Sequence, residues 1–129
     1  MITLHQQGRL FIALGAINAG LAVALGAFGA HGLQDLLSEK ALLTWHTAVD
    51  YHGFHALGLL LIGILSHWIP VAVRAGWWLL AGILLFSGSL YLLSLTGVSA
   101  LGAITPLGGL CFLLGWALLA RLALRKPED

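Results

Sequence analysis

Long uncharged apolar runs dominate the pattern of the chain. No charged residue falls between Arg9 and Asp35, between Asp50 and Arg74, or between Arg74 and Arg121. A hydrocarbon layer of about 30 Å takes about 20 apolar helical residues to cross, and these runs hold four such segments. A cluster of glycine and polar residues near Leu95–Leu101 divides the last run. The pattern predicts spans at about 9–30, 39–66, 73–95 and 100–121.

Local signals set the ends. Gly32, just after His31, is placed to stop span 1 in the left-handed conformation. The segment 32–37 is long enough only for an interfacial turn. Ser38 is an N-cap for span 2, with Glu39 in its first turn. Leu42, Leu43 and Trp45 then fall in the headgroup region, where tryptophan is favoured. Pro70, closing the run His67-Trp68-Ile69-Pro70, ends span 2 because proline lacks the N–H that continues a helix. Trp77 and Trp78 anchor the start of span 3, Thr96-Gly97-Val98-Ser99 makes a tight turn, and 122–129 reads as a polar tail. Ala27-Phe28-Gly29 loosely resembles a signal-peptide cleavage site. The apolar stretch before it exceeds the roughly 7–15 residues of a signal core, so span 1 is read as retained.

Composition agrees with a membrane solvent. Of 129 residues, 60% are hydrophobic and 9% charged, against about 25% charged in soluble domains. Four spans with short loops use up the chain as one transmembrane domain. A net charge of +1, from scattered basic residues, excludes nucleic acid, which demands clustered Lys and Arg. Cys111 is a lone cysteine in an apolar run and excludes an internal disulfide or a multi-cysteine metal cluster. Arg9, Arg74, Arg121, Arg125 and Lys126 share one side of the expected topology, and the other side holds only Lys40. By the positive-inside rule both termini are expected in the cytoplasm.

Lipid tails are as apolar as leucine, so spans associate through close backbone approach and polar contacts. At about 100° per residue, Gly15, Ala19, Ala22, Gly26 and Ala30 form one small-residue stripe on span 1. Asn18 flanks it as a polar group needing a partner. On span 3, Gly76, Ser87, Tyr91 and Ser94 share a face. On span 4, Thr105, Gly108, Gly109, Phe112 and Gly115 share another. Pro106 is expected to kink span 4 about a third of the way across, releasing the Gly102 carbonyl.

The densest polar cluster is His46–His55 on span 2. His46 and Asp50 lie on one face at i,i+4. Tyr51, His52 and His55 lie roughly opposite, and His31, at the end of span 1, is at a similar depth. Three readings compete. In the first, these groups are structural hydrogen-bonding partners. In the second they form a proton or ion relay, since ionisable groups inside membranes mark pathways and histidine titrates near neutrality. In the third, His52, His55 and His31 ligate metal or haem, a weak pattern without an adjacent glutamate. No serine or cysteine nucleophile with a paired base is evident, nor a phosphate loop. His5 and His67 sit at the inner boundary.

Leu25-Gly26-Ala27-Phe28-Gly29-Ala30-His31 resembles the signature of a family of small bacterial inner-membrane proteins typified by YgdD and YwdK. Three further pieces match in order. They are Tyr51 followed by Phe54-His55-Ala56-Leu57, then Leu85-Phe86-Ser87-Gly88-Ser89-Leu90-Tyr91, then Thr105-Pro106-Leu107-Gly108-Gly109 with Gly115-Trp116-Ala117-Leu118. His52 departs from the pattern, which carries glutamine there. The resemblance implies a four-span membrane protein of the bacterial inner membrane with no established activity and no assigned catalytic residues.

The expectation is therefore an all-α four-helix transmembrane bundle with antiparallel neighbours. Its leading role is non-enzymatic packing or interaction. One alternative is a small proton-linked transporter or channel with a polar pocket drawn from His31, Asp50, Tyr51, His55, Ser87, Tyr91 and Thr105. The other is a metal- or haem-binding membrane protein using His52 and His55. The lipid bilayer and further copies of the chain are the expected partners. No cofactor is expected, and no particular small-molecule ligand is implied.

Overall fold

In the structure, a computed structural model describing residues 1–126, all regular structure among the described residues is helical. Four helices are long and apolar enough to cross a membrane: α1 (Leu4–His31), α2 (Glu39–Leu65), α3 (Pro70–Thr96) and α4 (Ser99–Leu124). Short connections make sequence neighbours antiparallel.

Each start has a local cause. Thr3 and Gln6 form a capping box at α1: the Thr3 hydroxyl accepts from the Gln6 N–H and the Gln6 side chain accepts from the Thr3 N–H. That cap begins α1 five residues before the expected span. Ser38 caps α2 by accepting from the Ala41 N–H at 3.1 Å. Gly32 departs from expectation, because its φ of −83° is right-handed. The Phe28 carbonyl accepts from both the Gly32 and Leu33 N–H groups, and Leu33 is buried, so the chain turns without a left-handed residue. The one left-handed glycine among the described residues is Gly97, φ 69°, at the α3–α4 turn.

Pro106 also departs from expectation. A 3-10 turn over Ser99–Ala103 leads into regular helix at Thr105, with Pro106 in the first turn. There a proline N–H is not needed, so Pro106 starts the regular helix and does not kink a continuous one. The C-terminal helix runs on to Leu124, so the expected polar tail begins later, and its last three residues, 127–129, lie outside the described part.

The irregularity that the sequence does not show is in α3. Ile83–Ser87 is one π-helical turn, with the Gly88 N–H bonded to the Ile83 carbonyl. The extra residue rotates the second half of α3 relative to the first. It places Ser87 fully inside, where its hydroxyl donates to the Ala48 carbonyl of α2 at 2.9 Å.

Packing follows the small residues. A Cβ at Gly15 would lie 2.5 Å from the Leu60 backbone nitrogen, and one at Gly63 2.7 Å from the Gly8 carbonyl. Gly8 meets Ser66, and Gly29 receives the Trp45 indole. Between α3 and α4, Gly108 rests on the Phe86 backbone and Gly115 on Leu79. Gly109 is looser, 3.8 Å from the Phe86 ring. Ala19, Ala22 and Gly26 face α2 across a shallow hollow bounded by Val49, Asp50, Gly53 and Leu57. Phe11, Leu59, Ile62, Val73, Leu79, Ile83 and Phe112 form the buried centre.

Candidate functional site

The polar residues of α2 serve two places. His52 faces α1 and α3. The Asn18 amide nitrogen donates to the Leu14 carbonyl at 2.8 Å, which turns its oxygen toward His52 Nε2, 2.9 Å away. An amide oxygen only accepts, so Nε2 carries a proton. In the neutral ring Nδ1 then accepts from the Tyr91 hydroxyl at 2.9 Å. One directed chain thus runs from Tyr91 on α3, through His52 on α2, to Asn18 on α1. Trp45 lies against Tyr91, ring centroids 4.7 Å apart, and donates to the Leu25 carbonyl at 2.9 Å.

His55 faces α4. Its Nδ1 donates to the Tyr51 carbonyl at 2.8 Å, and its Nε2 accepts from the Trp116 indole N–H at 3.1 Å. A carbonyl cannot donate and an indole N–H cannot accept, so both partners select the same neutral tautomer. The ring is stacked on Phe112, centroids 3.5 Å apart and planes 10° apart. Neither histidine has a ring nitrogen to spare for a metal, and among the described residues no three His, Cys, Asp or Glu side chains come together. Thr105 pairs with Ser89 at 2.6 Å, and Ser89 also donates to the Phe86 carbonyl at 2.9 Å.

The seven residues of the expected polar pocket do not form one site. Asp50, Tyr51 and His55 line a groove between α2 and α4. Ser87, Tyr91 and Thr105 are spent in separate interhelical bonds, and none lines that groove. His31 is exposed at the end of α1, without a side-chain hydrogen bond among the described residues, and stands apart from it. His46 is exposed and makes no bond to Asp50; His5 and His67 are exposed at the terminal end.

The groove has a volume of about 860 Å³. Its wall is aromatic. Tyr51 lies 4.5 Å from Phe86 and 6.2 Å from Phe112 between ring centroids, and Phe54 lies 5.8 Å from Trp116. Trp116 closes the end nearer the termini by packing on Gly58, and Pro106 bounds the other. Phe54, Leu110 and Leu113 on its rim are exposed, so it opens sideways from the bundle. Sequence reasoning missed Phe54, Phe112 and Trp116 as a lining because it counted only polar groups. The i,i+4 spacing of Phe112 and Trp116 on α4, with Phe54 beside Tyr51 and His55 on α2, is the available signal.

Asp50 is the one charged residue in the groove lining. It is exposed and makes no hydrogen bond among the described residues. It sits eleven residues into α2, roughly 16 Å from the helix start at 1.5 Å per residue. The Ser87–Ala48 bond sets that turn of α2 level with the π-turn midway along α3.

Four apolar helices joined by tight turns, held by glycine contacts and interhelical hydrogen bonds, define a polytopic helical membrane protein. The chain belongs to the family described as "Protein of unknown function (DUF423)", which matches residues 25–109. It is 53% identical over 120 residues to the UPF0382 membrane protein YwdK of Bacillus subtilis, covering 91% of this chain and 98% of that one. A UPF0382 membrane protein of Staphylococcus epidermidis is 52% identical over 118 residues, with 91% and 97% covered. One from Staphylococcus saprophyticus is 53% identical over 112 residues, with 86% and 93% covered. No solved structure matches the chain.

Proposed function

We propose that the protein is a non-catalytic component of the bacterial plasma membrane, both termini in the cytoplasm, whose working surface is the groove between α2 and α4. The observation that carries this reading is the saturation of His52 and His55. Every ring nitrogen already has a protein partner, which supports a structural role over a metal centre or a relay open to solvent. The groove is then a large accessible feature lined by residues of all the family motifs that reach α2, α3 and α4. The bias of basic residues toward the terminal side supports the orientation, and the relatives' bacterial sources support the compartment.

Native mass spectrometry of the full chain released from lipid nanodiscs tests this. A small molecule or lipid is expected to stay with the wild type and to be lost from Leu113→Trp, which fills the groove. Bound species that persist unchanged in Leu113→Trp, or stoichiometric metal or haem in the purified protein, would overturn it.

A further inference from the structure

We propose that this groove takes a lipophilic organic cation from the bilayer, with the Asp50 carboxylate as its counter-ion and the rings of Tyr51, Phe54 and Phe86 against its apolar body. The inference rests on the groove being the working surface and adds the chemistry of its occupant.

The argument begins with Asp50. Acidic side chains within spans are costly, and ordinarily turn into the bundle or pair with another group. Asp50 does neither: it stands on the ridge of α2 between the aromatic groove and the shallower hollow toward α1, level with the middle of α3, without a hydrogen bond among the described residues. A cation arriving from the lipid supplies the missing partner. An anion would add a second negative charge at the same depth.

The wall points the same way. A groove for acyl chains needs only leucine-like side chains, whereas aromatic faces attract cations, most strongly where water is excluded. Besides Asp50, the Tyr51 hydroxyl is the other polar group of the lining without a hydrogen bond among the described residues; the His55 and Trp116 nitrogens are already engaged. The lining therefore has one counter-ion, one hydroxyl and a run of rings.

Size and access select a small molecule over a partner helix. The volume of about 860 Å³ lies inside the roughly 300–1,000 Å³ of small-molecule sites. From Pro106 to Trp116 the groove follows ten residues of α4, roughly 15 Å. A crossing helix needs about twice that length, and Trp116 on Gly58 blocks its path. Exposed Phe54, Leu110 and Leu113 leave the side toward lipid open.

The test is equilibrium binding of radiolabelled tetraphenylphosphonium to the full chain in nanodiscs, with tetraphenylborate measured separately as the anion of matching shape. Saturable binding of one phosphonium per chain is expected, and no saturable binding of the borate. Asp50→Asn should weaken phosphonium binding at least tenfold, Asp50→Glu should keep most of it, and Phe54→Leu should weaken it about threefold. Asp50 and Phe54 are exposed, so circular dichroism and the melting transition should confirm that these variants fold. No saturable phosphonium binding, equal affinity in Asp50→Asn, or equal binding of the borate would each overturn the inference. If phosphonium fails while a native molecule is still lost from Leu113→Trp, the cation is wrong and the groove stands. If Leu113→Trp displaces nothing, the groove reading itself falls.

Discussion

Along the seam between α1 and α2, Gly8, Gly15, Gly29 and Gly63 bring the helices so close that a Cβ at any of them would meet the neighbouring helix. Between α2 and α4 the opposing residues are Tyr51, Phe54, His55, Phe112 and Trp116, and the helices stand apart around a groove. Both seams face the same solvent and share the same central helix. In a bilayer no hydrophobic force closes a gap between apolar helices, so side-chain size at the contact decides how near they come. Small residues make a closed, stable seam. Stacked rings make a rigid open one, and the open seam is where an unpaired carboxylate is found.

The comparison can be broken most severely at the closed seam. Gly15→Val would drive a branched side chain into the Leu60 backbone. Overpacking usually costs about 1–3 kcal/mol, occasionally more, and here the obstacle is main chain, so roughly 3 kcal/mol is expected. A melting transition in detergent checks it, and a melt like that of the wild type would refute the seam as described. Asp50→Leu on the open seam should act in the opposite direction. A translocon-insertion assay on α2 should favour the variant by roughly 1–2 kcal/mol, less than the roughly 2.5–3.5 kcal/mol of an aspartate at the bilayer centre, because Asp50 lies about 7.5 Å along the helix from Trp45. Poorer insertion would mean that a protein group shelters the carboxylate.

Smaller effects sharpen the contrast. His52→Ala strands the Tyr91 hydroxyl and the Asn18 amide, and should lower stability by about 1–2 kcal/mol, within the range for buried groups left unpaired. His52→Gln should recover most of that in the same melt, because an amide offers one donor and one acceptor as the neutral ring does. A metal site would not be rescued in this way. Trp116→Phe keeps the ring and removes only the N–H to His55, with an expected loss of about 0.6 kcal/mol, the average for an interhelical hydrogen bond in a membrane. Chemical unfolding in mixed micelles is sensitive enough to measure it.

Several polar residues stand out in the sequence while their partners do not. Asn18 read as a polar group in need of one, and His52 as a weak metal candidate. The structure joins the two. Thr105 stood on a motif face, and its partner Ser89 lay in another motif without being singled out. Depth alone groups His31 with the cluster, yet it is exposed at the end of α1. Depth along a span can be counted in the sequence. The rotation of a helix about its own axis cannot, and the π-turn at Ile83–Ser87 changes that rotation within a single helix.

What the sequence determined by itself is the number of crossings and local features such as the Ser38 cap. These depend on transfer of apolar residues from water and on bonds within a turn, so nearby residues suffice. Tertiary structure alone decided that Gly32 turns right-handed, that Pro106 starts a regular helix without bending one, and that His52 and His55 serve different neighbours. It also decided that Asp50 is left beside an aromatic groove. Those outcomes depend on register and rotation between helices, which are set by contacts distant in the chain.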